Sequence, residues 1–306
     1  MINGVINVYK EAGFTSHDVV AKLRGIAGQR KIGHTGTLDP DAVGVLPVCL
    51  GNATKLCDML TDETKEYEAC LQLGITTDTQ DLSGQVLTTS PVLLNEEEFQ
   101  RAALSFVGSY DQIPPMYSAL KVGGKKLYEL AREGKTVERK PRRVEIFSLE
   151  ILDIQLPLAA IRVTCSKGTY IRTLCQDIGE RLGCGGAMRS LKRTRVGKFQ
   201  IENAYTLKAL QERKDAGELL TAVTPVDALF ETLPAFRVKK EALRLVRNGN
   251  SIPRSMVEQA EAGTKEPGNG QQIRVYDADR RFYGIYRYEE RTGLVKPVRM
   301  FLEREE

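Results

Sequence analysis

Two side chains in this 306-residue chain have the type and setting for polar chemistry together: a carboxylate, Asp39, and a guanidinium, Arg172. Asp39 lies near the end of the string Gly33-His34-Thr35-Gly36-Thr37-Leu38-Asp39-Pro40. The two glycines admit backbone angles closed to other residues, and Pro40 biases Asp39 toward an extended shape. The expectation is one acidic side chain on a stiff, exposed turn, although the pattern also reads as an Asx-type turn between two elements. Arg172 follows Ser166-Lys167-Gly168-Thr169-Tyr170-Ile171, where a strand ends, turns at Gly168 and gives way to a helix. A cation in a first helical turn opposes the helix dipole. A carboxylate partner is therefore expected, and Asp39 is the candidate. Pairing would orient Asp39, desolvate it and lower its pKa. The plain alternative is a surface arginine reaching into solvent. Tyr67 and Tyr170 are near these elements; alone, each reads first as core filling rather than a base-stacking surface.

Other chemistries find no foothold. The six cysteines (Cys49, Cys57, Cys70, Cys165, Cys175, Cys184) never form a Cys-x-x-Cys pair, and there are only two histidines, so no metal site is expected. Several cysteines sit in apolar runs and read as small core residues, which places the chain in the cytoplasm. The stretch Met1-Ile2-Asn3-Gly4-Val5-Ile6 lacks the basic lead and long apolar core of a secretory signal. No apolar run approaches a membrane span. With 42% hydrophobic and 27% charged residues, a packed core is expected rather than disorder.

The elements that must hold the pair are legible in part. Val5 to Val8 reads as a strand. Thr15-x-x-Asp18 resembles a capping box, followed by a helix on Val19, Val20, Leu23 and Ile26 that stops near Gly28. Gly44-Val45-Leu46-Pro47-Val48-Cys49-Leu50-Gly51 is an apolar run bounded by glycines, as a buried strand would be. Asn52 is expected to cap a helix on Ala53, Leu56, Cys57 and Leu60. Tyr67, Ala69, Leu71 and Leu73 alternate onto one face of a half-buried strand. Thr76 to Gly84 reads as a polar loop, and 95–107 as a helix capped by Asn95. Val122-Gly123-Gly124-Lys125 is a hairpin-like turn ahead of a short helix over 127–132. Strands are expected over 144–156 and 158–165, then a helix on Ile171, Leu174, Ile178 and Leu182 ending at Gly183. After Leu233-Pro234 comes one helix, about 240–247, and short strands near 273–276, 282–286 and 294–301. The expected division is 1–232 for a large domain and 233–306 for a small β-rich one.

Net charge is only +4, but it is concentrated: residues 121–143 carry a local +6 and residues 189–198 a local +5, leaving the rest net acidic. Two basic segments on an acidic chain point to a polyanion, most simply nucleic acid; two solvated loops are the alternative.

Four strings carry a resemblance: Gly33 to Pro40; Lys65-Glu66-Tyr67; Pro114-Pro115-Met116-Tyr117-Ser118-Ala119-Leu120-Lys121; and Ser166 to Arg172. In this order they resemble the bacterial tRNA pseudouridine synthase B family, over nearly the whole chain. Val43 stands where that family often has threonine. The resemblance implies an α+β pseudouridine synthase fold, a mixed and mostly antiparallel sheet with flanking helices, and a small barrel-like PUA domain. It implies isomerisation of uridine-55 in the tRNA T-loop by base flipping. Asp39 corresponds to the nucleophile, Tyr67 to the tyrosine that stacks on the uracil and is the candidate base at C5, and Arg172 to the arginine paired with the aspartate. His34 corresponds to a T-loop contact, and Tyr170 and Leu191 to the lining of the uridine pocket. Residues 121–143 fall where the family carries an RNA-gripping thumb. Lys121, Lys125, Lys126, Arg142, Arg143 and Arg193 are the cations expected to meet RNA. No metal or other cofactor, no membrane and a monomer are expected. A non-catalytic RNA-binding or remodelling protein, or the same reaction on another T-loop-like RNA, remain the alternatives, and attack at C6, attack at C1′ and a glycal route are all open.

Overall fold

The computed structural model describes residues 1–260 and 266–302. In chain order the large sheet and its insertions comprise β1 (Gly4–Lys10), α1 (Ser16–Ala27), β2 (Ile32–His34), β3 (Val43–Leu50), α2 (Cys57–Thr61) and β4 (Lys65–Leu73). Then come β5 (Ile75–Thr77), β6 (Val86–Thr89), α3 (Glu96–Leu104), β7 (Gly108–Gln112), β8 (Lys121–Val122), β9 (Lys125–Lys126) and α4 (Leu127–Arg132). They are followed by β10 (Arg142–Gln155), β11 (Leu158–Cys165), α5 (Ile171–Arg181), β12 (Gly186–Val196), β13 (Phe199–Gln200), α6 (Leu207–Asp215) and β14 (Val223–Thr224). The sheet runs β14-β1-β3-β12-β4-β11-β10-β7, with β2 on β3 and β13 on β12. Among these pairs β12 with β3 is parallel, so the sheet is mixed and mostly antiparallel as expected.

Local chemistry explains the ends of these elements. At α1 the Asp18 amide donates to Thr15 Oγ1 at 3.1 Å and the Thr15 amide to Asp18 Oδ2 at 2.8 Å, closing the capping box. Gly28, at φ 64°, stops the helix. Asn95 and Glu98 close the same device on α3. β3 is buried on both faces: Leu46, Val48 and Leu50 meet α1 and α6, while Val45 and Cys49 serve the opposite core. Its unbroken apolar run follows from that. β4 has one buried face, so its residues alternate.

A second, six-stranded and nearly closed sheet follows. It comprises β15 (Ala235–Val238), α7 (Leu243–Arg247), β16 (Ile252–Pro253), β17 (Val257–Gln259), β18 (Gln272–Tyr276), β19 (Phe282–Glu289) and β20 (Leu294–Met300), in the order β16-β20-β19-β18-β15-β17. Residues 303–306 of the expected small domain lie outside the described residues. Three of its strands, β15 to β17, are too short to read in the sequence.

Two expectations are corrected. Asn52 caps nothing: residues 51–56 form a 3₁₀ turn ahead of a five-residue α2. Its side chain instead donates to the Phe301 and Leu302 carbonyls at 3.2 and 2.9 Å and accepts from Lys31 Nζ at 2.7 Å. With Ile285 and Phe301 packed among Ala53, Leu56 and Val196, Asn52 ties the second sheet to the first. The polar stretch 76–84 is not simply a loop: Thr76 and Thr77 belong to β5, which pairs with β6.

Candidate active site

Asp39 is on a loop that is fastened at both ends. The Leu38 amide donates to Ser16 Oγ at 2.9 Å, the Gly13 amide to the Pro40 carbonyl at 3.0 Å, and Lys10 Nζ to the same carbonyl at 2.8 Å. Behind it, the Thr35 amide donates to the Pro47 carbonyl at 3.1 Å. Gly44 has φ 108°, and a Cβ there would lie 2.2 Å from the Arg193 carbonyl oxygen, so only glycine lets β12 close against the loop's exit.

Arg172 meets Asp39 as the dipole argument requires. It is in the first turn of α5 with its side chain 7% exposed; Nε lies 3.1 Å from Asp39 Oδ2 and Nη2 donates to Oδ1 at 3.4 Å. The remaining donors are used as well: Nη1 to the Thr79 carbonyl at 3.0 Å and Nη2 to the Tyr117 carbonyl at 2.8 Å. Nη1 also lies 3.5 Å from Asp81 Oδ2. Asp81 was not singled out in the sequence. Its other oxygen is saturated by Thr79 Oγ1 and by the Ser83 amide and hydroxyl, at 2.7, 3.0 and 2.5 Å, so it is a fixed brace. In the sequence it looks like any turn aspartate; pairing is decided by the turn after β5 docking on α5 and β12.

Asp39 is half-buried, with 38% of its side chain open, rather than on an exposed turn. Burial pushes its carboxyl above the ordinary range; Arg172 pulls the other way without cancelling it. The expected lowering of its pKa is therefore corrected: desolvation outweighs the ion pair. Tyr67 is buried on β4, and burial pushes its hydroxyl up as well. Leu191, opposite Ala69 on β12, shares a core cluster with Leu38, Ala42 and Tyr67. Tyr170 caps α5, and Gln112 holds its backbone at both ends: the Tyr170 amide donates to Oε1 at 2.8 Å and Nε2 donates to the Tyr170 carbonyl at 3.0 Å. Gln112, like Asp81, carries no local signal of its role. His34 Nδ1 lies 3.2 Å from the Gly36 carbonyl, which fixes the proton on that nitrogen, and burial lowers its pKa.

The fold has known counterparts. Residues 24–171 match the family described as TruB family pseudouridylate synthase (N terminal domain), and residues 172–231 match tRNA pseudouridylate synthase B C-terminal domain. The chain belongs to the TruB family of pseudouridylate synthases. It is 52% identical to tRNA pseudouridine synthase B of Lachnoclostridium phytofermentans, covering 98% of this chain and 100% of that one. It is 44% identical to tRNA pseudouridine synthase B of Alkaliphilus oremlandii, covering 99% and 100%. Among solved structures, a chain of an H/ACA ribonucleoprotein bound to a substrate RNA containing 2′-deoxyuridine superposes with TM-score 0.70, at 27% identity over 99% of this chain and 86% of that one. A chain of a Cbf5-Nop10-Gar1 complex gives 0.71 at 29% over the same shares. This TruB-family chain is thus an isomerase that forms pseudouridine in tRNA.

The cations expected to meet RNA divide sharply. Lys121, Lys125, Arg142 and Arg143 are exposed and Lys126 is half-buried. In the second basic segment Lys192 and Arg195 pair with Glu68 and Glu66 of β4. Arg193, expected to meet RNA phosphate, is 1% exposed and donates through Nε to the Val45 carbonyl at 2.7 Å. That expectation is corrected: strand alternation turns Arg193 inward beneath the site. Among the described residues no helix is long and apolar enough to cross a membrane, and no group of acids, histidines and cysteines could hold a metal ion.

Proposed function

We propose that this synthase acts on uridine-55 of the tRNA T-loop, with Asp39 as the nucleophile. The observation that carries the reading is the carboxylate held by two nitrogens of one guanidinium and still open on one side. A carboxylate at that spot adds to the flipped nucleoside, or abstracts a sugar proton, and then leaves. The N1–C1′ bond breaks, uracil turns, and C5 joins C1′, so no outside redox group takes part. Tyr67 stacks on the uracil and takes the C5 proton, a stacking contact worth about 1–3 kcal/mol against the cost of flipping. Tyr170 and Leu191 line the pocket, and His34 holds the loop open through its free Nε2. Lys121, Lys125, Lys126, Arg142 and Arg143 grip the T-arm backbone. We place the boundary near residue 232 and read the second sheet as a PUA-like RNA-binding domain; the enzyme works as a cytoplasmic monomer. The test is tritium release from C5-labelled uridine in a tRNA transcript, with site mapping. Asp39→Asn should abolish release while tRNA affinity stays near wild type. Release from a uridine outside the T-loop would refute the site, and loss of binding together with turnover would make Asp39 structural.

A further inference from the structure

Arg193 is the one buried cation of the site that the assigned roles leave unexplained. It lies directly opposite Tyr67 in the β12–β4 register, where facing side chains are in contact range. Its guanidinium favours ionisation of the Tyr67 hydroxyl, and its buried Nη2 has no hydrogen-bond partner. No carboxylate among the described residues lies within ion-pair distance of it. A guanidinium buried this deeply without a counter-charge is costly. Two further cations, Lys10 and Lys65, feel it: both are pushed down to about 8, mainly by burial, with Arg193 adding to the effect.

We infer that Arg193 serves the Tyr67 oxygen, holding it in place and balancing the negative charge it must carry to act as a base. The inference rests on the reading of Tyr67 as the base at uracil C5. A neutral phenol has no capacity to take that proton. Tyr67 must first give its own proton to solvent. The phenolate then accepts the C5 proton, and the C5–H pair forms the C5–C6 double bond as the bond at C6 that it replaces departs. Either the C6–O pair goes onto the leaving Asp39 carboxylate, or the C6–N1 π pair goes onto N1, which takes a proton from solvent. The phenol re-ionises after product leaves. In a dry pocket the phenolate needs a fixed cation, and arginine is the side chain that never loses its charge there. The other titratable groups facing the pair are Asp39 and His34 from the loop and its strand, Cys165 from β11, and Lys10 and Lys65. Asp39 and Cys165 oppose the ionisation, and Arg193, directly across from Tyr67, favours it. Arg193 acts through the Tyr67 oxygen and is a positioning residue.

The test compares single-turnover rates on tRNA carrying hydrogen or deuterium at the target C5. Arg193→Gln should slow conversion by about 100-fold with tRNA affinity unchanged, raise the C5 isotope effect, and move the alkaline rise of rate to higher pH. Arg193→Lys, which keeps a charge, should recover part of the rate and the wild-type isotope effect near neutral pH. A slow Arg193→Gln enzyme with the wild-type isotope effect and pH profile would overturn the inference and make Arg193 structural. If Arg193→Gln does not fold, the lysine variant decides alone: a rate loss without a raised isotope effect at acidic pH refutes it. Failure of the underlying reading looks different, because Tyr67→Phe would then convert uridine at the wild-type rate.

Discussion

Replacing Arg172 with lysine keeps the charge and removes the fork, which isolates what the geometry contributes. The guanidinium makes five contacts: two to Asp39 at 3.1 and 3.4 Å, one to Asp81 at 3.5 Å, and two to the Thr79 and Tyr117 carbonyls at 3.0 and 2.8 Å. An ammonium is a single point with three donors. From the same backbone position it serves Asp39 or the two carbonyls, and at least two charged hydrogen bonds go. Each is worth about 1.5–3 kcal/mol when charged. Asp39 keeps 38% of its side chain open, so water offsets part of the loss. The net is about 2.7 kcal/mol, or about 100-fold in single-turnover rate.

A second signature follows from the direction of the Asp39 pKa. Burial already holds it above the ordinary carboxylate range, and Arg172 is the main group opposing that. With Asp39 as the proposed nucleophile, the ionised form is the reactive one, and rate should fall as pH drops through the Asp39 pKa. Weakening the pair raises that pKa, and the acid limb moves to higher pH. Tritium release followed by rapid quench across the acid limb should show a larger deficit for Arg172→Lys at its acid end than at pH 8. A uniform deficit, or none, refutes the claim that the fork holds Asp39 ionised and oriented.

Two other perturbations test the charges farther from the pair. If Lys121, Lys125, Lys126, Arg142 and Arg143 neutralise about five phosphates, log affinity for tRNA should fall with log salt at a slope near −3.5, and Arg142→Ala should flatten it by about 0.7; filter binding over a salt series reads this, and a flat response removes the thumb's role. Asp177 on α5 is pushed up to about 6 by burial and then by Glu180, so the folded state binds its proton more tightly than the unfolded chain and stability declines as pH rises from about 4 to 6. Asp177→Asn should therefore gain about 1 kcal/mol near neutrality, discounted for partial exposure, and nothing at pH 4, as urea midpoints would show; equal gains at both pH values contradict the assignment.

The regular elements were legible because their signals are local. Capping residues, alternating β4 and the 127–132 helix depend on neighbours a few positions away. The Asp39–Arg172 pair was legible for a different reason: Arg172 at a helix start is unfavourable alone, and that deficit demands a partner. Asp81, Ser16 and Gln112 escaped because each acts on backbone or charge beyond its own neighbourhood, 22 residues away for the Ser16–Leu38 bond and 58 for Gln112–Tyr170. Asn52 misled because its best local use, as a cap, lost to carbonyls about 250 residues on. The pKa of Asp39 misled because a sequence shows the cation and hides the desolvation.

The two basic segments carry similar charge, +6 and +5, yet the fold places their cations differently. The difference is periodicity. Residues 121–143 are mostly turn, short helix and strand end, so their cations stay at the surface. Residues 189–198 lie in and just past β12, a central strand, where Arg193 turns inward, Lys192 and Arg195 face Glu68 and Glu66 of β4, and a register shift between Arg193 and Arg195 breaks the alternation. Arg193 thereby leaves the surface and Lys192 and Arg195 meet carboxylates, while Arg189 and Lys198 stay exposed. Positive potential at the floor of the site needs no exposed cation, and its response to salt should be weak because buried charge is poorly screened. Salt should therefore weaken tRNA binding through the thumb while leaving the rate of bound tRNA unchanged, a separation that surface charge alone would not produce.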